Sequence, residues 1–366
     1  MALNNLETII GSRVSFNLSS TREFLIVSGG KKQNNRTYYD EILVHNTISG
    51  VSKRYKSPFK MKYFPISMIC SAGNKVYMCC MKTHTHGCPN IISLISFDVT
   101  NARWENLYSH TENYCVNETL SLDLDLFFYH NESLYAFGLY CGQYNSEEED
   151  NSDEPDTSGM YKFCLKTSKW SIVKQIGESR IFDGMTYGTV FKNQLIVFNT
   201  LLGPTKKFRE VKIFDFSTNA WSTRATTSKN KQYPPYQRTE TYAFSSTCVY
   251  MTGGCKSSDP LSNTGIWRMD LESMEWTRMD YFVKTVAFRV ITCVVDDTYL
   301  YSFSMICNDS PKPTTLELFT LQPPSLYRLC LESVYRSPNM TRYIGSLPMA
   351  ILDDLKISDD DTPAYA

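Results

Sequence analysis

Histidine is scarce in this chain of 366 residues: there are five, His45, His84, His86, His110 and His130, and none stands in a nucleophile motif. G-x-S-x-G, a glycine-rich phosphate loop and H-E-x-x-H are all missing. Acyl transfer, phosphate transfer and metalloprotease chemistry have no residues to run on, so the chain reads as a non-enzyme that needs no cofactor. An excess of charge of one sign is also lacking. Lys and Arg number 37 and Asp and Glu 38, a net charge of −1, and nothing drives capture of nucleic acid or of an anionic membrane. No stretch approaches the roughly 18 apolar residues that cross a bilayer. The opening MALNNLETIIGSR has neither the basic start nor the apolar run of a secretory signal. The expectation is a soluble protein of the cytoplasm or nucleus, not a secreted one.

Cysteine is plentiful, at 12. Cys79, Cys80, Cys164, Cys248 and Cys293 fall inside apolar strand patterns of a chain too long to need stapling, so they read as reduced, partly buried small hydrophobes. MCCMKTHTHGC gathers Cys79, Cys80, His84, His86 and Cys88 within eleven residues, donors enough in number for zinc. Adjacent cysteines of one strand point to opposite faces and cannot share an ion without distortion. A polar hairpin loop is the reading, with no metal.

What the chain does have is aromatic residues, 24 Tyr and 20 Phe, which favour pleated surfaces, and a repeat. In KIFDFSTNAW, Phe214 stands seven residues before Trp221, with Asp215, Ser217, Thr218 and Asn219 between them. Phe97 precedes Trp104, Phe163 precedes Trp170 and Met269 precedes Trp276 at the same spacing. Two short strands joined by a tight turn fit each copy. Apolar strands lie upstream in phase: FLIVSGG, KVYMCC, SLYAFG, QLIVFN, CVYMTGG and YLYSFS, with markers at Gly30, Cys80, Gly138, Thr200, Gly254 and Ser304. Six units of four strands predict an all-β, six-bladed propeller over residues 1–322. Unit six has no fourth strand before Pro323, and the segment from Leu6 to Ile10 is expected to supply it and close the ring. SEEEDNSDEPD, within an insert at 146–158, carries seven acidic residues and no large apolar one; it reads as a disordered hairpin insert, or else as an acidic arm for a basic partner. Residues 358–366 read as a disordered tail.

Past Leu321 the period changes. Pro323 and Pro324 stop the strand, Ser325 offers an N-cap, and Leu326, Leu329, Cys330 and Val334 fall on one side of a helix that Pro338 ends. A second segment has Pro348 in its first turn and aligns Leu347, Ile351 and Leu355, with Leu352 close by. Residues 323–357 are thus a short α-helical module. By itself this pattern fits a structural cap on the underside of a scaffold propeller.

The apolar strand ending in GG, followed by aromatic-Asp-x5-Trp, resembles the kelch repeat in a degenerate form. Ser325-Leu326-x3-Cys330-x3-Val334 resembles the box through which SOCS-box proteins bind elongin C, and Leu347-Pro348, with Ala350 after it, resembles the cullin-2 version of the cullin box. Together the chain resembles the kelch-domain-containing substrate receptors of cullin-2 ubiquitin ligases. The resemblance implies that Leu326, Leu329, Cys330 and Val334 bind elongin C, in company with elongin B, and that Leu347, Pro348 and Leu352 bind cullin-2. It implies client proteins as the propeller's ligands, held by their C-termini through Arg and hydroxyl side chains in loops before each innermost strand. Arg180 and Arg238, with Ser179, Tyr236 and Thr239 adjacent, and Arg13 and Arg289 in units one and six, are the candidates, since a guanidinium offers a carboxylate a planar pair of donors.

Overall fold

The computed structural model describes residues 6, 10, 13–32, 39–59, 66–82, 90–109, 122–140, 158–177, 186–199, 207–235, 240–253, 265–282, 289–305, 315–337, 340, 346–347 and 351–352. They form six sheets, each built from consecutive strands of the chain and antiparallel throughout, except that Thr227–Ser228 adds a parallel edge to the sheet of blade 5. This is the six-bladed propeller that the repeat predicts. The innermost strands are Arg13–Thr21, Ile66–Ala72, Leu122–His130, Thr186–Phe191, Glu240–Phe244 and Arg289–Val295. All six line one central channel of about 760 Å³.

The repeat has a local physical cause. In four blades the aromatic or Met of the third strand lies directly opposite the Trp of the fourth: Phe97 and Trp104, Phe163 and Trp170, Phe214 and Trp221, Met269 and Trp276. The ring centroids of the three Phe–Trp pairs are 4.8, 5.2 and 5.2 Å apart, the spacing at which cross-strand pairs stabilise a sheet. In three of these blades a carboxylate between the paired residues turns the chain. Backbone N–H groups of Thr100, Ser217 and Ser273 each donate to Asp98, Asp215 and Asp270 Oδ1 at 2.8 Å. These Asx turns then need a left-handed residue, at Ala102 (φ 55°), Asn219 (φ 54°) and Met274 (φ 57°). In blade 1, where no Trp marks the hairpin, Asn46 takes the aspartate's place, accepting from Ile48 N at 2.8 Å, and Gly50 takes the left-handed position at φ 73°.

Neighbouring blades meet through separate apolar clusters, one per seam. Cys79 packs towards blade 3 with Leu94 and Leu134, while Cys80 packs towards blade 1 with Ile26 and Val44. The adjacent cysteines do face opposite ways; His84, His86 and Cys88 lie outside the described residues. Burial holds the thiols protonated, raising Cys80 to about 11 and Cys293 to about 12.

The seam between blades 5 and 6 is apolar only in part. Thr241 and Thr292 bring their hydroxyls to 3.4 Å across it. Thr252 and Ser302, their register partners, and Ser304 are wholly buried, with no hydrogen-bond partner among the described residues. A buried unsatisfied hydroxyl costs stability, so Ser302→Ala and Ser304→Ala are each expected to be neutral or to stabilise by up to about 1 kcal/mol, read by chemical denaturation.

His45, buried on the third strand of blade 1 with Nδ1 2.9 Å from Ser52 Oγ, adds a pH dependence. Burial lowers its pKa from 6.5 to about 4. The folded protein then refuses a proton that the unfolded chain accepts, so this stability is whole above about 6.5 and drains away as pH falls towards 4. His45→Gln should flatten the melting-temperature profile in that window.

The ring closes differently from the sequence expectation. Leu6 and Ile10 carry helical backbone, not a strand. Both are fully buried in the cluster between blades 6 and 1, against Phe16, Leu25, Val295 and Phe303. Large apolar side chains on one side of a helical turn fill the wedge between two sheets better than a strand at the rim, and blade 6 has three described strands. The acidic segment 146–156 and the residues from 353 onward lie outside the described residues.

Candidate functional sites on two opposite faces

Chain direction gives the propeller two unlike faces. At one, innermost strands begin and long connections enter and leave; we call it the loop face. At the other, the turn face, paired strands meet in tight hairpins, with left-handed pairs at Asn131 and Glu132, Lys192 and Asn193, and Asp296 and Asp297.

Of the seven substrate candidates, Ser179, Arg180, Tyr236, Arg238 and Thr239 lie outside the described residues; the strands that follow them, Thr186–Phe191 and Glu240–Phe244, start at the loop face. Arg289 begins its strand there, and its side chain is outside the description. Arg13 is described, and it corrects the expectation. Its guanidinium is buried, 2.7 Å from Glu41 Oε1 and 2.8 Å from Gly29 O, and its carbon lies 3.9 Å from the centre of the Tyr39 ring. It is a strut of blade 1, already committed to a carboxylate of its own chain. The matching place in blade 5 holds Glu240, paired in the interior with Lys207; burial raises the acid's pKa and lowers the amine's. Sequence reading missed this pair because Lys207 stands some thirty residues away, in another blade.

The turn face carries the helix. The helix α1 (Leu326–Arg336) begins where Ser325 Oγ accepts from Arg328 N at 3.1 Å, as its N-cap position predicts, and Ser337 behind it is extended, as a residue before proline must be. Its inner side is held at two points. Arg328, 2 % exposed, reaches Thr47 Oγ1 at 2.9 Å, Asp296 Oδ2 at 3.4 Å and Glu332 Oε1 at 3.0 Å. Leu331 is buried against Ile48 of blade 1. On the outer side Leu326 is 78 % exposed, Tyr327 55 % and Leu329 46 %, and Cys330 is exposed with them.

The structure thus brings Leu326, Leu329 and Cys330 together on solvent. It sets Val334 apart at the helix flank, partly buried with Leu331 and Ile48. Leu347 is partly buried in the same cluster, Leu352 is helical and half-exposed, and Pro348 lies outside the described residues. Arg328 escaped the sequence reading, which names only the N-cap and the apolar positions of this helix. The one available signal is its helical phase, shared with Leu331 and Tyr335.

Residues 127–323 match the KLHDC2/KLHL20/DRC7 Kelch-repeats domain. This chain belongs to that family. No curated protein matched it in a sequence comparison. The matched segment runs from the innermost strand of blade 3 to the end of blade 6 and holds three of the four Trp hairpins and the second Gly-Gly strand. A kelch propeller is a protein-interaction domain. No helix among the described residues is long and apolar enough to cross a membrane.

Proposed function

We propose that this kelch protein is the substrate-recognition subunit of a cullin-2-type ubiquitin ligase. The propeller selects client proteins at its loop face, and the helical module on the turn face docks on elongin C, with elongin B, and on cullin-2. The observation that supports this reading is the outward array of α1. A structural cap would turn its apolar side inward; here Leu326, Leu329 and Cys330 face solvent on a helix already fastened through its other side. Anchors spaced along one helical face are what helix-in-groove recognition requires. The LFTLQPPSLYRL junction also resembles the passage from propeller to helices in receptors of the kelch domain-containing protein 10 type. Placing docking module and loop face at opposite ends of the channel lets a client and the ligase scaffold bind at once.

Leu326, Leu329, Cys330 and Val334 are assigned to elongin C, Val334 at the margin of the contact, and Leu347, Pro348 and Leu352 to cullin-2. Arg180, Arg238, Ser179, Tyr236, Thr239 and Arg289 remain the residues proposed for a client's C-terminal carboxylate. The test is direct binding of the purified full chain to purified elongin B–C. Absence of binding at micromolar concentration would leave the scaffold reading, in which the propeller binds partners and α1 is only a cap.

A further inference from the structure

We propose that α1 is the clasp that closes the propeller ring, that Arg328 fastens it, and that docking of a partner on its outward face is coupled to closure of the seam between blades 6 and 1. The coupling rests on the function proposed above; the clasp stands independently of it.

Propellers commonly close by sharing a strand between the two ends of the chain. Here each sheet is made of consecutive strands, and among the described residues blade 6 holds three of its own and none from elsewhere. Among the described residues, closure falls to side chains. Ser20 Oγ donates to Val294 O at 2.5 Å, and Phe16 meets Phe303 edge-on at 5.8 Å. Leu6 and Ile10 fill the wedge behind them, Tyr301 of blade 6 shares a side-chain hydrogen bond with Thr47 of blade 1, and the seam is spanned from outside by α1. The chain reaches α1 directly from blade 6, so contact with that blade is expected: Arg328 approaches Asp296 and lies 4.8 Å from the Tyr299 ring centre. The contact across the seam is the informative one. Arg328 Nη2 donates to Thr47 Oγ1 of blade 1, and that hydroxyl in turn donates to Glu23 O at 2.7 Å. Thr47 N also donates to Glu23 O, at 3.0 Å. The threonine is thereby fixed, with a lone pair aimed at the guanidinium. Leu331 completes the bridge on Ile48. One side chain therefore touches both ends of the ring, within a helix whose opposite side carries the docking residues. A partner that binds only the ordered, seated helix must favour the closed seam, and a closed seam must favour the partner to the same degree.

Amide hydrogen exchange on the full chain tests both halves, with purified elongin B–C as the probe. Thr47→Val leaves α1 and its outer face untouched, and Arg328→Met removes the fork. Each is expected to speed exchange in Arg13–Thr21 and Arg289–Val295 by about tenfold, while Ser158–Cys164 and Gln194–Asn199, around the seam of blades 3 and 4, keep parental rates; Arg328→Lys should give a partial effect. Elongin B–C should slow exchange in the same two seam strands as well as in α1, and Thr47→Val should weaken its binding by about fivefold. Uniform change in every blade, or none at the seam, would overturn the clasp. Protection confined to α1, or unaltered affinity of Thr47→Val, would overturn the coupling. Should elongin B–C not bind the parent chain, the docking function and the coupling both fall, and seam exchange in the variants still decides the clasp.

Discussion

Changing Leu326 and Cys330 together to alanine is expected to weaken binding of elongin B–C by more than tenfold while leaving the propeller's own stability within about 0.5 kcal/mol of the parent. The two halves of that expectation come from one fact. Leu326 and Cys330 are exposed, so in the isolated chain their side chains rest in water and their loss opens no cavity. In a partner's groove the leucine alone contributes roughly 1.5 to 3 kcal/mol of apolar burial. Substitution at Leu331, which is buried on Ile48, should do the opposite and lower stability first. Titration calorimetry for affinity, paired with a melting curve for each variant, separates the two. Parental affinity in the double variant would sink the docking role of α1.

Trp276→Ala is the change expected to cost the fold most, about 3 to 5 kcal/mol, with blades 4 and 5 losing their shared core. The indole is fully buried. It stands opposite Met269 within its blade, edge-on to Phe208 at 5.9 Å, and its Nε1–H donates to Phe208 O at 3.0 Å. That carbonyl lies in blade 4, just before its third strand Glu210–Asp215, and also accepts from the Thr226 hydroxyl. Truncation empties a large volume and removes one of the carbonyl's two donors. Trp170 and Trp221, only half-buried, should cost less when truncated, and denaturant unfolding of the three variants checks the order. A Trp276→Ala protein as stable as its siblings would show that the hairpin tryptophans act within their own blades and not between them.

The hairpins were legible in the sequence because each is local. Aromatic, aspartate, a left-handed residue and Trp occupy neighbouring places, and the turn that joins them is dictated within ten residues. Six units in phase with these hairpins leave little choice of architecture, since each sheet can bury its faces only against the next. The closure was not legible. A three-strand unit at one end and an apolar segment at the other suggested a shared strand, yet Leu6 and Ile10 have the spacing of one helical turn as well as that of a strand end, and only the shape of the wedge they fill chooses between them.

The docking motif shows the same division. Leu326, Leu329 and Cys330 can be placed on one helical face from their spacing alone, but spacing cannot say whether that face turns in or out. Arg328 decides it: by reaching Thr47, some 280 positions earlier in the chain, it commits the other side of the helix to the propeller and leaves the leucines to solvent. Arg13 is the converse case, an arginine well placed for a ligand by sequence and consumed by Glu41 in the fold. The sequence by itself determined the repeat, the number of blades and the helix that follows them, because each depends on residues close together in the chain. Which arginines are spent, which helix face is free and what holds the ring shut depended on contacts between residues far apart, and only the tertiary structure decided those.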